Sequence, residues 1–121
     1  MGGMGVTFVK GKLTSLNDPS KQVEGEFLVD TGATYTVVPK KVVDRLAIKS
    51  QRRIELVLAD GKVIKRGLGT AVFEMGGQTV HTPVILGGKD DSYLLGAVTL
   101  EEMGLAINPL TRKIYPMKTF A

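Results

Sequence analysis

Residues 27–34 read FLVDTGAT, an apolar run that ends abruptly in the acid Asp30 and continues with small residues. A carboxylate at the end of a buried strand requires a reason, because burial disfavours its charged form unless nearby N–H groups stabilise it. Gly32 allows the backbone to turn sharply, Thr31 offers a hydroxyl and Ala33 adds little bulk. On the residues alone, the simplest interpretation is that Asp30 caps a turn, as most aspartates at strand ends do.

The composition of the whole chain is that of one β-rich domain. The chain has 121 residues, of which 43% are hydrophobic and 23% are charged, so we expect a single globular domain over residues 1–121. Glycine makes up 15 of the 121 residues, about 12%, compared with an average share of about 7%. Because glycine at this frequency favours turns and strands over helices, the sequence predicts a mainly β fold.

Strands and hairpins are predicted where apolar and polar residues alternate between clusters of turn formers. Asp60-Gly61 between two extended runs is a strong hairpin signal, and Gly76-Gly77 joins a further pair of runs. Pro83 restricts the second run of that pair to the edge or end of a sheet. The predicted extended runs are residues 6–13, 22–29, 53–59, 62–67, 70–75, 78–86 and 113–120.

Two short helices are predicted between these runs. The first begins at Pro39, which suits the first helical position, and carries an apolar stripe that ends at Leu46. The second begins after Thr99, because Thr99 and Glu102 have the spacing of a capping box. Gly104 is able to close this second helix.

Several classes of function are disfavoured by what the sequence lacks. There is no cysteine and only one histidine, so we expect no disulfide, no metal site and no cofactor. No segment resembles a signal peptide or approaches the roughly 18 apolar residues of a membrane span, so we expect a cytoplasmic protein that does not contact a membrane. The formal net charge is +4, but the basic residues are scattered, and nucleic acid is therefore not an expected partner.

The stretch from Leu28 to Ala33 resembles the active-site signature of retropepsin-like aspartic proteases, the retroviral-type family with a single lobe. Later in the chain, residues 94–97 (LLGA) resemble the second signature of that family, two aliphatic residues and a glycine that lead into a short helix. Asp60-Gly61 lies between the two, where the family has its flap hairpin. The order and spacing of these motifs and the single-lobe length agree with the family over residues 6–116. The sequence resembles cellular and prokaryotic members of the family more than viral ones.

The resemblance implies a single-lobe closed barrel with a hairpin flap and one or two short helices, assembled as a homodimer. It implies an aspartic endopeptidase that hydrolyses peptide bonds in polypeptide substrates, with Asp30 of each subunit as the catalytic pair. The monomer has only one Asp-Thr-Gly sequence and is expected to be inactive. The terminal run, residues 113–120, is expected to contribute to the dimer.

The resemblance also implies roles for residues around the catalytic acid. Thr31 would donate a hydrogen bond across the dimer, and Gly32 and Ala33 would complete the active-site loop. Substrate-binding positions would be Leu28, Leu94, Leu95 and Gly96 beside the acids and Asp60 and Gly61 at the flap tip. Leu28 and Leu94 are equally compatible with places in the core. Thr34 stands where viral members commonly have an acid, and the flap tip lacks the viral glycine-rich sequence.

Two functions of other classes are also compatible with the residues. A dimer of the same fold could bind extended peptides without cutting them, although the intact Asp30-Thr31-Gly32 argues against this because a pure binder does not need a costly carboxylate pair. A small basic β-barrel could instead bind single-stranded nucleic acid. A steep salt dependence of binding would identify that function.

Overall fold

The structure is a computed structural model that describes residues 7–117, and it is built mainly of β-strands. No helix among these residues has the length and apolar character that a bilayer crossing requires. In chain order the elements are β1 (Phe8–Thr14), β2 (Gln22–Val29), β3 (Thr36–Val38), α1 (Lys40–Leu46), β4 (Arg52–Val57), β5 (Val63–Met75), β6 (Gln78–Leu86), β7 (Leu94–Leu95), α2 (Ala97–Glu102), β8 (Leu105–Ile107) and β9 (Ile114–Pro116).

The strands form one large sheet and one small hairpin. The large sheet has the order β1-β2-β7-β3-β6-β5-β4, and β1 also pairs with β5. β2 runs parallel to β7 and β3 runs parallel to β6, whereas the other pairs are antiparallel. The β8–β9 hairpin forms the second sheet. Because β7 lies between β2 and β3, residues from distant parts of the sequence meet at the centre of the large sheet.

The core is centred on two phenylalanines of the large sheet. The rings of Phe27 on β2 and Phe73 on β5 are fully buried and meet edge to face, with ring centroids 5.1 Å apart. Gly11 on β1 makes room for them, since a Cβ atom there would lie 2.6 Å from Cζ of Phe73. Leu13 and Leu95 are also fully buried in this cluster. The alternation of residues in β1, β2 and β5 thus puts one face of each strand into the core.

Helix α1 confirms the predicted helix after Pro39. It starts from Pro39 as N-cap, buries Val42 and Leu46, and ends at Ala47 in the left-handed region with φ of 51°. Helix α2 begins earlier than predicted, with Gly96 as its N-cap. The capping box at Thr99 is therefore wrong, because the Thr99 hydroxyl is buried inside the fold rather than bonded to the helix terminus.

The glycines near the middle of β5 explain a second difference from the sequence prediction. Two runs were expected, but Val63–Met75 is one continuous strand. A Cβ at Gly69 would lie 2.6 Å from the carbonyl oxygen of Lys49, and one at Gly67 would lie 2.6 Å from Oγ of Ser50. These glycines allow the segment after α1 to pass close to the strand, so they mark a close approach and not a turn.

Other short elements were not predicted or were predicted only in part. Strands β3 and β8 were missed. In the described part of the terminal run, residues 113–117, the strand is Ile114–Pro116, and it pairs with β8 of the same chain. The prediction that Pro83 restricts its run to the edge or end of a sheet is wrong for β6, which lies between β3 and β5. Pro83 pairs with Thr70 of β5, and the pairing with β3 begins one residue later, at Val84. Val6 of the first predicted run and residues 118–120 of the last lie outside the described residues.

Candidate active site

The two sequence signatures lie side by side at the centre of the large sheet. β2 and β7 are parallel, with Leu28 opposite Leu94 and Val29 opposite Leu95. The first residue after β2 is Asp30, and its backbone N–H donates to the carbonyl oxygen of Leu95 over 3.0 Å. The position of Asp30 is therefore set by the backbone of the second signature.

The loop after Asp30 folds back onto the acid. The Gly32 N–H donates to Oδ1 of Asp30 over 2.9 Å, and the Ala33 N–H donates to the Asp30 carbonyl oxygen over 3.1 Å. Asp30, Thr31 and Gly32 are exposed, and within residues 7–117 the other carboxylate oxygen, Oδ2, has no hydrogen-bond donor. The turn that the residues alone suggested is therefore present, and it leaves one oxygen of Asp30 free for another group.

The second signature holds the far side of the same loop. Following Gly96, the Ala97 N–H donates to the Ala33 carbonyl oxygen over 2.8 Å and the Val98 N–H donates to the Thr34 carbonyl oxygen over 3.0 Å. Gly96 is buried, and a Cβ there would lie 2.5 Å from the Tyr35 carbonyl oxygen. Only glycine allows this approach of two backbones, which explains why the signature needs it.

A groove of about 710 Å³ opens beside Asp30. One wall is the loop after β2, and the opposite wall is the β4–β5 hairpin. Within β4, Ile54 and Leu56 are partly buried, whereas their neighbours Arg53, Glu55 and Val57 are exposed. All six residues from Ile54 to Ala59 line the groove, and all of them except Glu55 are apolar. The lining residues are Asp30, Gly32, Ala33, Thr34, Tyr35, Val37, Ile54, Glu55, Leu56, Val57, Leu58, Ala59, Ile85 and Leu94.

The predicted flap tip does form the turn of the β4–β5 hairpin. Gly61 has φ of 87°, and the Lys62 N–H donates to Oδ1 of Asp60 over 2.9 Å. Asp60 and Gly61 do not line the groove, whereas Leu58 and Ala59 just before them do. The tip thus shapes the turn, and the residues leading into it reach the groove.

The predicted pocket leucines occupy three different environments. Leu94 lines the groove with Asp30 and also a neighbouring cavity of about 540 Å³. Leu28 lines that second cavity but not the groove, and Phe8 and Tyr93 are among the other walls of the second cavity. Leu95 is fully buried in the core, where it packs against other apolar side chains. The structure therefore brings Asp30, Gly32, Ala33 and Leu94 together in one groove and separates Leu28 and Leu95 from it.

Several groove residues were not identified from the sequence. Tyr35, Val37 and Ile85 reach the groove because β3 lies between β7 and β6, a neighbourhood that no local pattern reveals. Ile54 and Leu56 had a usable signal in the alternation of β4. In the second cavity, burial raises the pKa of Tyr93 above its ordinary value. Residues 7–117 contain no group of acids and histidine arranged to hold a metal ion.

The sheet order, the paired signatures and the hairpin that lines the groove are those of the class of retropepsin-like aspartic proteases. Residues 20–102 match the family described as gag-polyprotein putative aspartyl protease, and the chain belongs to that family. No curated protein matches the chain.

Solved structures of this class share the fold at low sequence identity. A retropepsin-like aspartic protease from Rickettsia conorii is 23% identical, with a TM-score of 0.58 over 86% of this chain and 77% of that one. EIAV protease, solved with an inhibitor, is 18% identical, with a TM-score of 0.59 over 84% of this chain and 90% of that one. The retroviral protease-like domain of Ddi1 from Leishmania major is 16% identical, with a TM-score of 0.56 over 93% of this chain and 90% of that one. These likenesses establish the fold.

Proposed function

We propose that the protein is a homodimeric aspartic endopeptidase in which the Asp30 carboxylates of two subunits activate one water molecule. The observation that carries this proposal is the exposed Asp30, which lines the groove and is held at the end of β2 by the Leu95 carbonyl and the Gly32 N–H. Family membership supports an acid in this position as the catalytic group.

The dimer follows from the count of suitable acids. Asp30-Thr31-Gly32 occurs once in the chain, whereas the chemistry requires two facing carboxyl groups. A two-fold axis beside the exposed Asp30–Gly32 loop would supply the second copy, because an isologous interface places the same residue on both sides. Thr31 is exposed in that loop, where its hydroxyl is available to donate to the partner subunit. Glu55 is the other acid along the groove, and its contribution is separable by mutation.

The reaction needs one ionised and one protonated carboxyl group, and two carboxyl groups at short range share a proton in this way. The ionised group accepts a proton from the water, whose oxygen attacks the carbonyl carbon of the peptide bond. The protonated group donates to the carbonyl oxygen as the tetrahedral intermediate forms. The carboxyl group that took the proton of the water then passes it to the amine nitrogen, and collapse of the intermediate breaks the C–N bond. Water is the nucleophile, so no acyl-enzyme forms.

Substrate binding follows from the apolar groove and the hairpin that covers it. An extended polypeptide would lie along β4 and receive backbone hydrogen bonds from the hairpin, in the manner of strand addition. Leu94 contacts apolar side chains next to the cleaved bond, and Asp60-Gly61 forms the tip of the closing flap. The pairing of β1 with both β2 and β5 supports a closed barrel as the rigid frame. The cytoplasmic location remains a prediction from the sequence.

The test is digestion of an unfolded protein from about pH 3 to 7, the range in which a carboxylate pair titrates. We compare wild type with Asp30→Asn and with Glu55→Gln, a matched loss of the other groove carboxylate. Wild type and Glu55→Gln are expected to cut, with a specific activity that rises with enzyme concentration, whereas Asp30→Asn folds, dimerises and does not cut. Retained cleavage by Asp30→Asn would refute the mechanism. A folded wild type that binds peptides and cuts at no pH would instead identify the peptide-binding dimer.

A further inference from the structure

A chain of hydroxyl groups runs through the protein behind the active-site loop. Thr36 on β3, Thr82 on β6 and Thr99 on α2 are all fully buried. Oγ1 of Thr99 lies 2.6 Å from Oγ1 of Thr36 and 2.8 Å from Oγ1 of Thr82. At one end, Thr82 donates to Oε1 of Glu102 over 2.6 Å, and at the other end the Gly96 N–H donates to Thr36 over 3.1 Å.

The two ends determine the direction of every hydrogen bond in this chain. An ionised carboxylate only accepts, and a backbone N–H only donates. Thr82 gives its single proton to Glu102, so it accepts from Thr99. Thr99 then accepts from Thr36, and Thr36 accepts from Gly96. Each hydroxyl therefore donates once, and no buried side-chain polar atom among residues 7–117 is left without a partner.

The Gly96 end of the chain is part of the frame around Asp30. Leu95 precedes Gly96, and its carbonyl oxygen accepts from the Asp30 N–H over 3.0 Å. Ala97 follows Gly96, and its N–H donates to the Ala33 carbonyl oxygen over 2.8 Å. A shift of the Gly96 amide thus moves both backbone contacts that hold the catalytic loop.

We propose that Glu102 is a positioning residue for the Asp30 site, acting through Thr82, Thr99 and Thr36 on the Gly96 amide. This inference rests on the proposed function, because its kinetic effect requires that Asp30 be catalytic. Glu102 is an exposed residue at the end of α2, yet one of its oxygens receives the proton of a fully buried hydroxyl. Its role is to be the terminal acceptor of the chain.

Removal of the terminal acceptor leaves the buried hydroxyls with one proton too many. Without Glu102, either Thr82 keeps an unpaired O–H, or the bonds reverse and Thr36 must donate elsewhere. A buried donor without an acceptor is costly, so the threonines would shift to find one. Thr36 also accepts from the Gly96 N–H, and the shift would reach the loop by that contact. Glutamine at position 102 retains an acceptor oxygen and is expected to preserve the arrangement.

The kinetic test compares Glu102→Ala with Glu102→Gln and with Glu101→Ala. Glu101 is the matched control, an exposed acid on the same helix whose side chain makes no hydrogen bond within the described part of the chain. We expect Glu102→Ala to lower kcat about tenfold with KM nearly unchanged, as displacement of a catalytic group costs rate more than binding. Glu102→Gln and Glu101→Ala should stay within about twofold of wild type. Full activity of Glu102→Ala, or equal losses in Glu102→Ala and Glu102→Gln, would overturn the proposal.

A second measurement does not depend on proteolysis. Amide hydrogen exchange, followed by NMR, reports directly on the hydrogen bond from the Gly96 N–H to Thr36 and on the one from the Ala97 N–H to the Ala33 carbonyl. We expect about tenfold faster exchange at Gly96 in Glu102→Ala and wild-type exchange in Glu102→Gln and Glu101→Ala. Unchanged exchange at Gly96 in Glu102→Ala would refute the positioning role even if the wild type is a protease. Faster exchange together with an inactive wild type would instead retain the network and reject the proposed function.

Discussion

Substitution of Gly96 by alanine tests the close packing of the two signatures. An added Cβ would lie 2.5 Å from the Tyr35 carbonyl oxygen and 2.9 Å from that of Thr34. Both atoms belong to backbone, and Thr34 is also held by the Val98 N–H over 3.0 Å, so neither can move without the loop. Overpacking against atoms that cannot yield costs about 3 kcal/mol in the free energy of unfolding. For a domain of this size, that cost lowers Tm by about 10 °C.

Urea unfolding at one fixed protein concentration measures this loss, because the stability of an oligomer depends on concentration. Gly88→Ala is the matched control. The nearest atom to a Cβ at Gly88 is Nη2 of Arg66 at 3.4 Å, the end of a flexible side chain. The control should change stability by less than about 0.5 kcal/mol. If Gly96→Ala were as stable as Gly88→Ala, the close approach of Gly96 to Tyr35 would not be a constraint on the fold.

Two further predictions concern acid stability and the core. Hydrogen bonds from the Ser20 hydroxyl and N–H lower the pKa of Asp18, so the stabilising contribution of Asp18 is present above the ordinary pKa of 3.8 and is lost as pH falls through the lowered pKa of the folded state. Asp18→Asn should therefore lose less stability than wild type on acidification. Identical urea midpoints for the two proteins at every pH from about 2 to 6 would contradict this. Phe27→Leu should lower the free energy of unfolding by about 1–3 kcal/mol, because the contact with the Phe73 ring is lost. Phe8→Leu, at a half-exposed position, should lower it by less than about 0.5 kcal/mol. Equal losses for the two variants in urea unfolding would exclude a special role for the aromatic pair.

Strands with a strong alternating pattern were predictable from the sequence. Both bounds of β2 (Gln22–Val29) and β6 (Gln78–Leu86) agree with the predicted runs, because turn formers stand on each side of alternating residues. Strand β3 (Thr36–Val38) was missed, since three residues are too few to show a period. Its existence depends on pairing with β6 and β7, which are remote in the sequence.

The candidate site divides in the same way. Asp30 and its loop were identified because the signature is a contiguous stretch of residues. The hydroxyls of Thr36, Thr82 and Thr99 were not, since 63 residues separate the first from the last and 17 separate the second from the last. Thr99 was assigned to a helix cap because its local spacing with Glu102 fits one. In the structure both side chains belong to one network, but Thr99 bonds to Thr36 and Thr82, and Glu102 bonds to Thr82. The sequence thus drew attention to two members of the network and paired them wrongly.

The support around Asp30 consists largely of neutral hydrogen bonds, and this has a consequence for its response to conditions. The Leu95 carbonyl, the Gly32 N–H and the Gly96 amide are backbone groups, and the threonines behind them are uncharged and buried. The carboxylate of this network, Glu102, is exposed but accepts a hydrogen bond of 2.6 Å from Thr82, well inside the screening distance. Salt screens exposed charges over about 10 Å and leaves such contacts nearly unchanged. The loop should therefore keep its geometry over a wide range of ionic strength. A change of activity with salt would then report on the association of subunits or on substrate binding, and not on the shape of the catalytic loop.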